Sequence, residues 1–240
     1  MINDLLAATD HRPWPMPQQR WAYYQEWRDV VFLHYRVEPD TLKAFLPSSL
    51  QPDTIDGSAW VSLVAFDMIN VRPWYAPAFS PISDFHEVNL RTYVQHGDRP
   101  GVYFLRIDAA KLISVALART LSVLPYRHVP ITRRIAEDDV RSFDLSSVEE
   151  GWALRYRISS SNDKASTLDT WLTERYCLYQ SARGRLHRYH VHHRPWPLNT
   201  VHVVDPPRLD RWHELRLGNV ASAHYSSGVE VVSWASETVN

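Results

Sequence analysis

The stretch Phe85-His86-Glu87-Val88-Asn89-Leu90-Arg91-Thr92-Tyr93-Val94 decides the fold. Its aromatic and β-branched residues at short spacing read as a strand, and along a strand successive side chains point to opposite faces. Val88, Leu90, Thr92 and Val94 share a face suited to a core. Phe85, Glu87, Asn89, Arg91 and Tyr93 share the other. A face carrying an acid, an amide, a base and a phenol either meets solvent or lines a polar cavity, and solvent is the default for a strand taken alone.

Outward from this segment most of the chain reads in the same way. Candidate strands are Val30 to Val37, Ala59 to Ile69, Val102 to Ile107, Val129 to Ile135, Trp152 to Ser159, Leu186 to His193, Thr200 to Val204 and Ser222 to Trp234. Trp171 to Tyr179 reads as a further strand, with Leu172, Glu174, Tyr176 and Leu178 on one face. A glutamate among large apolar neighbours there needs an arginine or a backbone partner, because an unpaired buried charge is costly.

Two helices are expected. One opens at Pro39-Asp40-Thr41, with Asp40 as its cap, and ends before Pro47. The other opens at Asp108, runs through the alanine-rich segment to Arg119, and is apolar enough to be largely buried. Many strands with few helices predict an α+β, mainly β domain: a barrel or wrapped sheet with a helix packed on it. With 240 residues, no repeat and no linker, the chain reads as a single domain over 1–240.

Composition narrows the partners. A formal net charge of -1 supplies no field for nucleic acid or an anionic membrane. Cys177 is the one cysteine, so the fold does not rest on an internal disulfide. The first residues lack the pattern of a signal peptide, and apolar runs such as Val61 to Phe66 fall far short of the roughly 20 residues of a membrane helix. A cytoplasmic location is expected by elimination. The basic residues are almost all arginine, with lysine only at Lys43, Lys111 and Lys164.

No glycine-rich phosphate loop and no G-x-S-x-G elbow occurs, so neither a nucleotide cofactor nor a hydrolase triad is expected. The run Arg185 to His193 is rich in histidine, and His190 and His192 would share a strand face. It lacks a third ligand at a suitable spacing, and its arginines oppose a cation, so no metal is expected.

Several segments together resemble the acetoacetate decarboxylase-like superfamily, and within it the uncharacterised YqjF-like branch. They are Trp27 to Arg36, Pro39 to Leu50, Phe66-Asp67-Met68, Phe85 to Val94, Pro100 to Phe104, Ala118 to Tyr126, Leu172 to Tyr176, Pro195-Trp196 and His224-Tyr225-Ser226. The resemblance implies a β-barrel or cone with few helices around a central pocket. It moves the polar face of Glu87, Asn89 and Arg91 from solvent toward that pocket. It also matches Arg28 and Glu87 to functional positions of the decarboxylases, which act through a lysine Schiff base activated by a cationic neighbour. Here Tyr126 stands at the reactive lysine's position and Arg127 at its neighbour's. Tyrosine cannot form an iminium, and arginine stays protonated. Lys111 is the one lysine near expected core structure.

The readings carried forward are three. The first is a pocket that binds a small carboxylate or oxo compound through Arg28, Asn89, Arg91, Arg127, Glu174 and Tyr176. The second is an enzyme using Glu87 and Tyr126 as base and acid. The third is a structural network without small-molecule activity. Assembly into a homo-oligomer is compatible with each.

Overall fold

A run of aromatic and β-branched residues makes the first long strand, β1 (Tyr23–Val37), after a short helix, α1 (Ile2–Ala7). Then come α2 (Pro39–Lys43), β2 (Gln51–Pro52), β3 (Ala59–Pro73), α3 (Ser80–Ser83), β4 (Phe85–His96) and β5 (Arg99–Ala109). The middle of the chain forms α4 (Leu112–Leu121), β6 (Tyr126–His128), β7 (Ile131–Ile135), β8 (Arg141–Ser146), β9 (Gly151–Ser161) and α5 (Thr167–Thr173). The chain continues through β10 (Cys177–Ala182), β11 (Arg185–His193), β12 (Leu198–Asp205), a 3-10 turn (Asp210–Leu215), β13 (Ser222–Ser233) and β14 (Glu237–Val239). The structure is a computed structural model and describes residues 2–146, 151–161 and 165–239. No helix among the described residues is long and apolar enough to cross a membrane.

The strands form one sheet in the order β14-β11-β10-β5-β4-β3-β1-β13-β12-β9-β8-β7. A further pairing of β11 with β13 closes seven of them, β1, β3, β4, β5, β10, β11 and β13, into a ring. The remaining run, β12-β9-β8-β7, folds back over the outside of β1, β3 and β4. Leu33, Leu63, Val88 and Leu90 on that outer side share a core cluster with Phe143, Leu145, Leu154 and Tyr156. The two arms are also pinned by charge: Arg133 of β7 reaches Asp67 of β3 at 2.6 Å and Asp29 of β1 at 3.1 Å.

β4 is therefore buried on both faces. Val88 and Leu90 enter the outer core, and Glu87, Asn89, Arg91 and Tyr93 face into the ring. Solvent, the default for the polar face, gives way because the sheet curls until β11 meets β13. β1 carries an irregularity where this curl is tight. Asp29 adopts φ 49, and the register against β3 shifts between Arg28 and Val31. Aspartate is among the few non-glycine residues that tolerate such a backbone. Gly228, opposite Arg28, is required there, because a Cβ would lie 2.0 Å from the Trp27 carbonyl oxygen and its φ is +127.

Three local expectations are corrected. Asp40 sits in the first turn of α2, whose N-cap is Glu38. Asp108 does not open a helix; it lies in β5, laddered to both β4 and β6, and is gripped by Arg106 at 2.6 Å. Two ladders outweigh its capping tendency. The helix starts at Leu112 instead, and it is not largely buried: Leu112 and Ile113 are 62% and 64% exposed. The segment from Trp171 to Tyr179 is not one strand but the end of α5, a bend, and the start of β10. Its strand-like residues yield to a capping box, in which Ser166 Oγ accepts from the Asp169 amide and Asp169 accepts from the Ser166 amide.

Candidate functional site

The inner face of β4 supplies the centre of the site. Glu87, Asn89 and Arg91 are 3%, 4% and 5% exposed. Asn89 Nδ2 donates to Glu87 Oε1 at 3.1 Å, and the Tyr126 hydroxyl donates to Glu87 Oε2 at 3.2 Å. Tyr126 arrives through the parallel pairing of β6 with β5, which sets it beside Ile107, itself opposite Asn89. Burial pushes the Glu87 carboxyl up to about 7, aided by the Asp108 charge and opposed by its two hydrogen bonds. Burial, then the nearby Glu87, pushes the Tyr126 phenol well above its ordinary value. The pair is thus an acid near neutrality held against a phenol that stays protonated.

Arg91 is the unusual member. Its guanidinium lies 5.6 Å from the Phe32 ring centre, and its Nε and Nη2 atoms are buried with no hydrogen-bond partner among the described residues. Asn89 Oδ1 is buried and unpartnered in the same way. Buried donors and acceptors are almost always paired in native proteins, so this grouping calls for an explanation. Arg175, the neighbouring buried arginine, contrasts with it in having a counter-ion: it pairs with Asp53 at 2.5 Å, donates to the Trp171 carbonyl and lies against Trp171 and Tyr93, with only its Nη2 unpartnered among the described residues.

A buried hydrogen-bond chain lines the wall next to Arg91. It runs from Asp169 to His224 (2.9 Å), His34 (3.2 Å), Ser62 (2.6 Å), Tyr93 (2.7 Å) and the Leu172 carbonyl (2.8 Å). Both its ends lie on α5, so the chain ties that helix to the inner wall. Burial, with the His224 and Arg91 charges, holds His34 well below its ordinary value and so neutral. On another side Glu174 accepts from the Tyr176 hydroxyl and from the Trp196 amide at 2.9 Å. Burial raises Glu174 and takes His193, whose ring is tilted against that of Tyr176, down to about 4.

The expected site residues divide accordingly. Glu87, Asn89 and Tyr126 are in direct contact, and Arg91 follows on the same face of the same strand. Glu174 and Tyr176 contact each other, though from a bend rather than from one strand face. Arg28 is held by Glu26 at 2.5 Å and is 42% exposed along its side chain. Arg127 follows Tyr126 on β6, so it turns to the opposite face, where it lies 4.0 Å from Asp108. Lys111 donates to the Ser80 carbonyl at 2.9 Å, and Lys43 is exposed on α2; Lys164 lies outside the described residues. His190 meets Glu237 and His192 meets the Leu5 carbonyl. No group of three potential ligands is placed to hold a metal among the described residues.

A family model describing uncharacterized conserved proteins, DUF2071, matches residues 24–230. The chain belongs to the DUF2071 family. A relative in it is the uncharacterized protein YqjF of Bacillus subtilis (strain 168), 33% identical over 227 residues that cover 87% of this chain and 84% of YqjF. Among solved structures, an acetoacetate decarboxylase-like enzyme from Sphingomonas wittichii RW1 is similar with a TM-score of 0.66 at 15% identity, covering 96% of this chain and 98% of that one. The enduracididine biosynthesis enzyme MppR, in complex with pyruvate, is similar with a TM-score of 0.65 at 16% identity, covering 96% and 93%. At these identities the likeness establishes the fold. This chain thus has the acetoacetate decarboxylase-like architecture that the resemblance implied.

His34, Ser62, His224 and Asp169 were not anticipated. Only the alternation of His34 with Phe32 along β1, and of Ser62 with Val64 along β3, marks them as inward-facing, and that becomes legible once the ring is known. Chemically the site offers a forked cation and an amide oxygen that have no counter-ion or donor among the described residues, and a carboxyl–phenol pair able to hold a proton near neutral pH.

Proposed function

We propose that this protein binds a small carboxylate or oxo compound inside the strand ring, with Arg91 as the anchor, and without Schiff-base chemistry. One observation carries the reading: Arg91 is buried with its Nε and Nη2 donors unfilled. These two N–H groups lie on one edge of the guanidinium and form the fork that takes a carboxylate in two parallel hydrogen bonds. A buried cation without a counter-ion is costly, and an anionic ligand removes that cost. That MppR has been solved with pyruvate supports a small acid as the ligand class for this fold. Tyr126, at the position to which the resemblance assigns the reactive lysine, donates to Glu87 instead, which supports the absence of an imine. A formal charge of -1 and a lone buried Cys177 support a cytoplasmic protein acting on a small molecule rather than on nucleic acid.

A second reading has its own observation. Glu87, raised to about 7 and bonded to Tyr126, suits proton transfer at neutral pH, because a general acid or base works best with a pKa near the working pH. On this reading Glu87 takes a proton from a carbon or water next to the bound carboxylate, and Tyr126 hydrogen-bonds the oxygen that gains charge.

Calorimetric titration with pyruvate and other short monocarboxylates tests the first reading. The unmodified protein binds, and Arg91→Met weakens binding by about tenfold or more. Equal affinity of the two proteins contradicts it. Intact mass after borohydride treatment with the same acids shows no adduct if the imine is absent. Turnover abolished by Glu87→Gln, with affinity retained, supports the second reading over simple binding.

A further inference from the structure

Two unfilled polar groups share the inner face of β4, and they differ in kind. Arg91 offers donors through Nε and Nη2, and Asn89 offers an acceptor through Oδ1. They are two residues apart on the strand, so their Cα atoms lie about 7 Å apart, with both side chains directed into the ring. Asn89 cannot turn its amide to change what it offers. Its Nδ2 is committed to Glu87 Oε1, and the other oxygen of Glu87 is occupied by Tyr126. With Glu87 ionised, both of its oxygens accept and the Asn89 acceptor must face inward.

We propose that the ring interior is built for a hydroxy acid, with the carboxylate on the Nε/Nη2 edge of Arg91 and the hydroxyl donating to Asn89 Oδ1. This rests on the reading of Arg91 as a carboxylate anchor and names the compound that the site prefers. A ketone or aldehyde oxygen brings no hydrogen. In the same pose it displaces the water that would serve Asn89 Oδ1 and leaves the acceptor dry, an asymmetry that discriminates strongly between isosteres. An ammonium group could donate to Asn89, but it would place a second cation beside the uncompensated Arg91 guanidinium. A hydroxyl satisfies the acceptor without adding charge. Leu172, Ile107 and Tyr93 belong to one apolar cluster, and Ile107 is the β5 partner of Asn89, so apolar side chains adjoin the two polar groups.

The test compares matched pairs by calorimetry at pH 8, where Glu87 is mostly a carboxylate: both enantiomers of lactate against pyruvate, and both enantiomers of 3-hydroxybutyrate against acetoacetate. The expected result is that the better hydroxy enantiomer of at least one pair binds about tenfold more tightly than its oxo partner. Asn89→Ala should bring the members of that pair to parity, and Arg91→Met should weaken both. If the oxo acids bind as well or better while Arg91→Met still weakens them, the hydroxyl assignment is overturned and the carboxylate anchor stands. If none of the acids binds, or if Arg91→Met changes nothing, both are overturned. A preference that survives Asn89→Ala overturns the role of Asn89. Circular dichroism confirms that each variant is folded, and the comparison in the unmodified protein decides the preference even if Asn89→Ala is not.

Discussion

Glu87 shows most clearly what burial does to a residue. Its carboxyl accepts two hydrogen bonds, yet desolvation dominates and raises it from 4.5 to about 7. The folded state therefore holds its proton more tightly than the unfolded chain. For an acid raised in this way, the contribution to stability is fully present below the unfolded value. It is lost as pH rises from about 4.5 to about 7. A shift of this size corresponds to about 3 kcal/mol. Glu87→Gln should be near neutral to stability at pH 4.5 and should gain on the parent protein by up to that amount at pH 7.5, read as urea midpoints across the range. A constant difference across that range would contradict the assignment. The sequence made Glu87, Asn89 and Arg91 legible as one polar face, because period-two alternation needs no tertiary knowledge. It could not tell that face from a solvated one. It also placed Arg28 and Arg127 with them, whereas the bulge at Asp29 and the alternation along β6 carry those two elsewhere.

Among the elements, α5 carries the clearest lesson. Trp171 to Tyr179 has the residue types of a strand, but Ser166 and Asp169 cap a helix just before it, and the capping pattern decides the local structure. The signal was present as Ser-x-x-Asp. The residues after it favour a strand by propensity alone, which tertiary context overrides. The same Asp169 reaches His224, so a single carboxylate both caps the helix and ends the buried chain to Tyr93. Ser166→Ala removes one half of the capping box and should cost about 1 kcal/mol. Thermal unfolding should show this as a drop of a few degrees. An unchanged midpoint would mean that the helix is held by packing and the His224 contact alone. Most of the long strands were legible to within a few residues. β8 and the short β2, β6 and β14 were missed: β8 offers only two apolar residues, Phe143 and Leu145, and the other three span two or three residues each.

At the scale of the whole molecule, the closing of seven strands through β11 and β13 turns ordinary alternation into an interior. Register alone puts His34, Ser62 and Arg91 in one row across β1, β3 and β4, and Phe32, Val64 and Asn89 in the next. None of these juxtapositions is visible in the chain, because each depends on pairings between residues far apart in sequence. The mainly β class was visible, and so was the kinship with the acetoacetate decarboxylase-like fold. In this chain Tyr126 is set against Glu87, and β4 adds the buried Arg91 without a counter-ion among the described residues. The most direct test of this account is a crystal structure of the protein grown with saturating pyruvate. The account predicts a carboxylate bound in two parallel hydrogen bonds on the Nε/Nη2 edge of Arg91, with no bond to any lysine. Pyruvate joined to a lysine, or a ring interior in which Arg91 meets only water, would contradict it.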